Sequence, residues 1–77
     1  MEENAKSHKI ANVRTLTDRE FQVLELLITG KSNTEIAKEL SLSVHTIKAH
    51  VCAILNKMAV DDRVQAAVKA IRNGLIK

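Results

Sequence analysis

The segment "SVHTIKAHVC", residues 43 to 52, gathers two histidines, a lysine, a cysteine and two hydroxyls into one short stretch. Each could ligate a metal, carry a proton or hydrogen-bond a polyanion, and spacing decides between these. His45 and His50 are five residues apart, which on a helix separates them by roughly 140°. They cannot grip one ion as an i, i+4 pair can, so no metal site is expected. Cys52 is the only cysteine, which excludes an internal disulfide and a cysteine-based zinc cluster and suits a reducing, cytoplasmic compartment. A redox role for the thiol competes with a plainer one, a small serine-like residue on a helix face, and the plainer one is favoured. There is no glycine-rich phosphate loop, no catalytic triad and too little chain for a cleft. Neither an enzyme nor a cofactor is expected. What remains is contact with phosphates or base edges, with simple solvent exposure of the histidines as the bland alternative.

Positioning such groups requires elements, and the chain marks them with helix caps. In "LTDREFQVLELLITG" Thr17 can cap the free amides of a helix while Glu20 reaches back, a capping box. Leu16 is placed to staple onto Phe21. Phe21, Leu24, Leu27 and Ile28 recur at helical spacing as a core face, and Gly30 suits the left-handed stop. "SNTE" repeats the signal with Ser32 and Glu35, starting a short helix that turns Ile36, Ala37 and Leu40 to one side. "SLS" makes a corner with Leu42 inward. Ser43 then caps a longer helix from Val44 to about Met58. Asp61 is expected to cap a last helix from Asp62 to Asn73, stopped by Gly74, with Arg63 pairing locally to Asp61 or Asp62. Four helices follow, the middle two forming a helix-turn-helix over about residues 32 to 51. The fold class is an all-α four-helix bundle.

Composition agrees. The 77 residues suit one small domain, 45% apolar with one Phe and no Trp or Tyr, so the core must be aliphatic. No proline and two glycines disfavour a turn-rich sandwich or barrel. No apolar run approaches the ~20 residues of a membrane span. Residues 1 to 15 are polar and aperiodic and are expected to be a flexible N-terminal arm ahead of a domain at 16 to 77. Net charge is +3, but unevenly spread. Residues 17 to 40 carry three basic and five acidic groups, whereas residues 41 to 77 carry six basic and two acidic. Polyanions are natural partners for the second half.

On the helix from Val44, the residues Val44, Ile47, Val51, Ile54, Leu55 and Met58 fall within an arc of about 100° and form the buried stripe. Opposite lie His45, Ala49, Cys52, Ala53 and Asn56, flanked by Lys48 on one side and by Thr46, His50 and Lys57 on the other. No carboxylate occurs between Leu40 and Asp61. An acid-free face with small residues at its centre suits a major groove, where carboxylates would repel phosphates and bulk would hold the backbone off base edges. The cap at Ser43 leaves amides and positive dipole for phosphate oxygens. The tight corner would aim this recognition helix. A helical protein-interaction module without specific DNA binding is the rival reading. Steep salt dependence on one particular duplex separates the two.

From "LTDRE" through "GKSNTEIAKELSLSVHTIKAHV", "ILNKM" and "DRVQA", the chain resembles the DNA-binding domain of the LuxR family, found in NarL/FixJ-type response regulators. The resemblance covers residues 16 to 76. It implies a transcription regulator whose third helix enters the groove and whose fourth mediates dimerisation, with RNA polymerase as a further partner and no small-molecule ligand or membrane. By position, Lys48 and Ala49 fall where the family approaches bases, with Cys52 one turn on. Thr46, His50 and Lys57 fall at or beside backbone contacts, and Ser32 and Asn33 where the scaffold helix meets phosphate. Family members commonly carry threonine or valine at 49, serine or lysine at 52 and asparagine at 53; Ala49, Cys52 and Ala53 depart from this, so an operator sequence does not transfer. On the last helix Val64, Ala67, Val68 and Ile71 are assigned to the core. Ala66, Ala70 and Asn73 are assigned to a small exposed dimer face, giving a weak homodimer formed mainly on DNA. The chain is expected to be either an effector domain cut from a larger regulator or a stand-alone GerE-like one.

Overall fold

In a computed structural model of the chain, residues 16 to 74 are described; the arm and the last three residues lie outside them. Four helices and no strand are present among the described residues: α1 Asp18–Ile28, α2 Asn33–Leu40, α3 Val44–Met58 and α4 Arg63–Arg72. Each begins where a side chain takes up a free amide. Thr17 and Ser32 form reciprocal capping boxes with Glu20 and Glu35, and Ser43 accepts the Thr46 N–H. The last helix starts one residue later than the sequence reading placed it. Asp62, not Asp61, is its cap, accepting the Gln65 N–H at 2.9 Å, while the Asp61 N–H donates to the Gln65 carboxamide oxygen.

The ends of α1, α2 and α3 share one device. Lys31, Leu42 and Val60 each donate a backbone N–H to the carbonyl five residues earlier, on Leu26, Ala37 and Leu55. This is the Schellman closure, and it requires the residue just before the donor to be left-handed. Gly30 supplies that conformation after α1, but Ser41 and Ala59 supply it after α2 and α3 at φ near +57° and +58°. Leu42 and Val60, next in line, pack against the core, and that apolar contact offsets the strain of a non-glycine residue there.

Helix α3 lies at the centre and packs on all three others, while α1 packs on α2 and α4. Val23, Leu24, Ile36, Ile47, Ile54 and Met58 are fully buried, each contributing on the order of 1.5–3 kcal/mol. On α1 the core face is Glu20, Val23, Leu24 and Leu27, so Phe21 and Ile28 are half-buried at its edge rather than central.

The last helix is turned over relative to the sequence reading. Ala66 and Ala70 are 0% exposed, whereas Val64, Val68 and Ile71 are 69%, 44% and 57% exposed. The alanines therefore are not a surface, and the assignment of Ala66 and Ala70 to a dimer contact is wrong. Small residues let the α4 backbone approach α1 and α3 closely, which bulkier side chains would prevent. Polar anchors on either side of the alanine stripe fix the rotation. Lys69 Nζ donates to the Met58 carbonyl at 2.7 Å, a cation on the orphan carbonyls at the end of α3. Arg63 donates to the Lys31 carbonyl and to Asn33 Oδ1, both at 3.1 Å, rather than pairing with Asp61 or Asp62. Asn73 is exposed at the end of α4.

Candidate nucleic-acid interface

The face of α3 opposite the core is built as a slim, uncharged-to-positive surface. His45, Lys48, Ala49, Cys52 and Asn56 are exposed; Thr46, His50 and Ala53 are half-buried on its flank. Ile47, Ile54 and Met58 are fully buried, and Val51 and Leu55 pack against them. The buried stripe fixes the rotation of α3, and so the direction of the exposed face. Val44, expected within the stripe, is 37% exposed and borders a neighbouring groove. Cys52 is a free, exposed thiol, and no group of three or more His, Cys, Asp or Glu side chains placed to hold a metal ion occurs among the described residues.

The caps decide which donors remain available. At α2, the Ser32 N–H donates to Glu35 Oε1 at 2.8 Å and Ser32 Oγ accepts the Glu35 N–H at 3.2 Å. That reciprocal pair consumes the Ser32 side chain and holds the Glu35 carboxyl below the usual carboxylate range, chiefly through the backbone bond at Ser32. The N–H groups of Asn33 and Thr34, first and second in the helix, have no intrahelical acceptor. At α3 the Ser43 hydroxyl accepts the Thr46 N–H at 3.0 Å and donates to Thr46 Oγ1 at 2.9 Å. The Thr46 hydroxyl accepts that bond and keeps its own proton to donate, beside the amides of Val44 and His45, which have no intrahelical acceptor. Two helix N-termini thus present donors without acceptors, the arrangement that suits phosphate oxygens.

Lys57 sits differently from the other expected contacts. Its ammonium donates to Glu20 Oε1 at 2.8 Å, tying the end of α3 to the start of α1. Burial alone would raise the Glu20 pKa. The Lys57 hydrogen bond, the Thr17 N–H and the charges of Lys57 and His50 together outweigh that and hold the carboxyl below its usual value. No single-residue pattern announced this pair, because its members are 37 positions apart.

A depressed carboxylate stabilises the fold above its unfolded pKa, and that contribution disappears as pH falls through the lower folded value. Glu20→Gln should therefore lower stability near neutral pH by about 1–3 kcal/mol, the scale of hydrogen bonds to a charged group. The gap from wild type should close as pH falls through and below the ordinary carboxylate range. Thermal melts followed by circular dichroism across that range check this; a gap constant with pH would remove the ionised Glu20 from the account.

A shallow groove adjoins this face. It runs between the end of α1, the starts of α2 and α3, and the exposed side of α4, with Ile28, Val44, Val64, Val68 and Ile71 as its apolar lining and Lys31, Lys48 and Arg63 along it. Helices α2 and α4 do not pack on each other; the Arg63 side chain spans the space between them. No helix of the described residues is long and apolar enough to cross a membrane.

Residues 14–70 match the family model described as bacterial regulatory proteins, luxR family. Among curated proteins the chain is 46% identical over 74 residues to the transcriptional regulatory protein LiaR of Bacillus subtilis (strain 168), covering 96% of this chain and 33% of that protein. It is 50% identical over 62 residues to the transcriptional regulatory protein DegU of Brevibacillus brevis, covering 80% of this chain and 26% of that one. The response regulator protein VraR of Staphylococcus aureus (strain NCTC 8325 / PS 47) is 44% identical over 62 residues, with 80% and 30% covered. The chain thus spans about a third or less of the length of these relatives. A capped helix-turn-helix with these matches settles the family: the chain belongs to the luxR family of bacterial regulatory proteins.

Proposed function

We propose that the chain binds a specific double-stranded DNA sequence with α3 in the major groove and so regulates transcription in the bacterial cytoplasm. One observation carries this reading: the exposed face of α3 is free of carboxylates, small at its centre and bordered by donors at two helix N-termini. Lys48 and Ala49, with Cys52 one turn on, approach base edges. His45, Thr46, His50 and the amides after Ser43 meet the backbone, as do Asn33 and the amides after Ser32. Lys57 acts mainly by bracing α3 on α1 through Glu20. The relatives named as response regulators support an effector domain that answers to a further part of a longer protein.

Two copies bind inverted half-sites about one helical turn apart. The exposed stripe Val64, Val68 and Ile71, with Asn73 beside its end, replaces the buried alanines as the contact between them. The stripe is small, which favours a monomer in free solution and a pair on DNA. RNA polymerase is a further partner in this reading.

Selection of bound sites from a random duplex library tests the proposal. The expected result is one inverted repeat, with affinity falling steeply as salt rises because each neutralised phosphate releases counterions. Weak binding to all duplexes at every salt concentration would instead favour a protein-interaction module.

A further inference from the structure

We infer that Arg63, on a helix that does not itself enter the groove, is a positioning residue for DNA binding: it holds the Asn33 side chain with its amide hydrogens facing the phosphate. This rests on the DNA-binding function proposed above. Arg63 is the first residue of α4 and Asn33 the first of α2. Arg63 Nη1 donates to Asn33 Oδ1 at 3.1 Å, and Nη2 donates to the Lys31 carbonyl at the same distance. A guanidinium has donors only, so the carboxamide atom facing it must be the oxygen. The Nδ2 group is thereby turned away from Arg63, and among the described residues it has no acceptor. The bond to Lys31 fixes the loop that leads into Asn33, so the side chain and the backbone just before it are held by one planar fork.

What the capping box leaves at the start of α2 is then uniform in sign. Ser32 is spent on Glu35, while the Asn33 and Thr34 amides and Asn33 Nδ2 are all donors. Without Arg63 the carboxamide can rotate and offer its oxygen, which repels a phosphate. The effect reaches DNA through a neutral group, so it changes affinity without changing how many counterions binding releases.

The test is titration of the full chain onto a selected half-site duplex over a range of salt, for Arg63→Met, Asn33→Ala and the double variant. Each single change is expected to weaken binding roughly tenfold, the scale of one hydrogen bond to a charged group. The double variant should be no weaker than Asn33→Ala, because the two residues act as one unit. The salt slope should stay that of wild type. A slope lowered by about one would make Arg63 itself a phosphate contact, and additive losses or unchanged affinity would make it merely structural; either overturns the inference. If Arg63→Met melts below the assay temperature, Arg63→Lys replaces it, keeping charge and stem but not the fork. Asn33→Asp supplies a control that keeps an oxygen for Arg63. It should fold yet bind at least as weakly as Asn33→Ala, and wild-type affinity there would also overturn the inference. Failure of the wild-type chain to select any duplex defeats the DNA reading itself, and this role with it.

Discussion

Replacing Ala66 with aspartate is expected to unfold the domain, while Val68→Asp, two residues along the same helix, leaves it folded. Ala66 is fully buried where α4 meets the core. A carboxylate there has no partner and no water, at a cost of several kcal/mol. A domain of this size has a total stability of roughly 4–11 kcal/mol, so most or all of it is lost. Val68 is 44% exposed, and its replacement should change stability by no more than about 0.5–1 kcal/mol. In the proposed pair, however, Val68→Asp sets two charges against each other across the two-fold. Half-site binding should persist while cooperative filling of the full site disappears. Circular dichroism melts and gel-shift titrations on half and full sites measure both. A native melt for Ala66→Asp would show that α4 does not pack on its alanines; undiminished cooperativity in Val68→Asp would move the contact between copies elsewhere.

Lys48→Ala should weaken specific binding by roughly 1–3 kcal/mol, between about fivefold and about 150-fold. Lys48 is exposed on α3 beside the groove that runs to α4, so its removal leaves the core untouched and the melting temperature close to wild type. The pattern of loss tells what it touches. Contact with a base edge relaxes selectivity at one position of the selected site. Contact with a phosphate weakens all duplexes alike and lowers the salt slope by about one. Unchanged affinity on every duplex would remove α3 from the groove.

Elements whose cause is local were readable from the sequence. Thr17 with Glu20, Ser32 with Glu35, and Ser43 with Thr46 each act over three residues, so the starts of the first three helices follow from short words in the chain. The two faces of α3 were readable too, apart from Val44 at its start, because the rest of its buried stripe is continuous and its outer face lacks acids. The rotation of α4 was not. Taking Val64, Ala67, Val68 and Ile71 as the core stripe put the valines inside, but what turns α4 is the space available against α1 and α3 and the two anchors Lys69 and Arg63. Their acceptors lie 11 and about 30 residues away. The Glu20–Lys57 pair escaped for the same reason. A hydrogen bond between distant segments has no sequence period to betray it, and Glu20 had already been explained as a capping residue.

The closure at Ser41 has a consequence for which sites can be bound. With α2 and α3 locked by backbone hydrogen bonds and by Leu42 in the core, the donors at their two N-termini keep a fixed separation. On a duplex bound as proposed, the chain acts as a calliper closed on two points of the backbone. DNA whose groove already has that width binds without distortion; DNA that must be bent or squeezed to it loses the deformation energy, of order 1–6 kcal/mol for a substantial bend. Base pairs that no side chain reaches then influence affinity through their stiffness, and the selected sites carry a preference at positions the protein never touches.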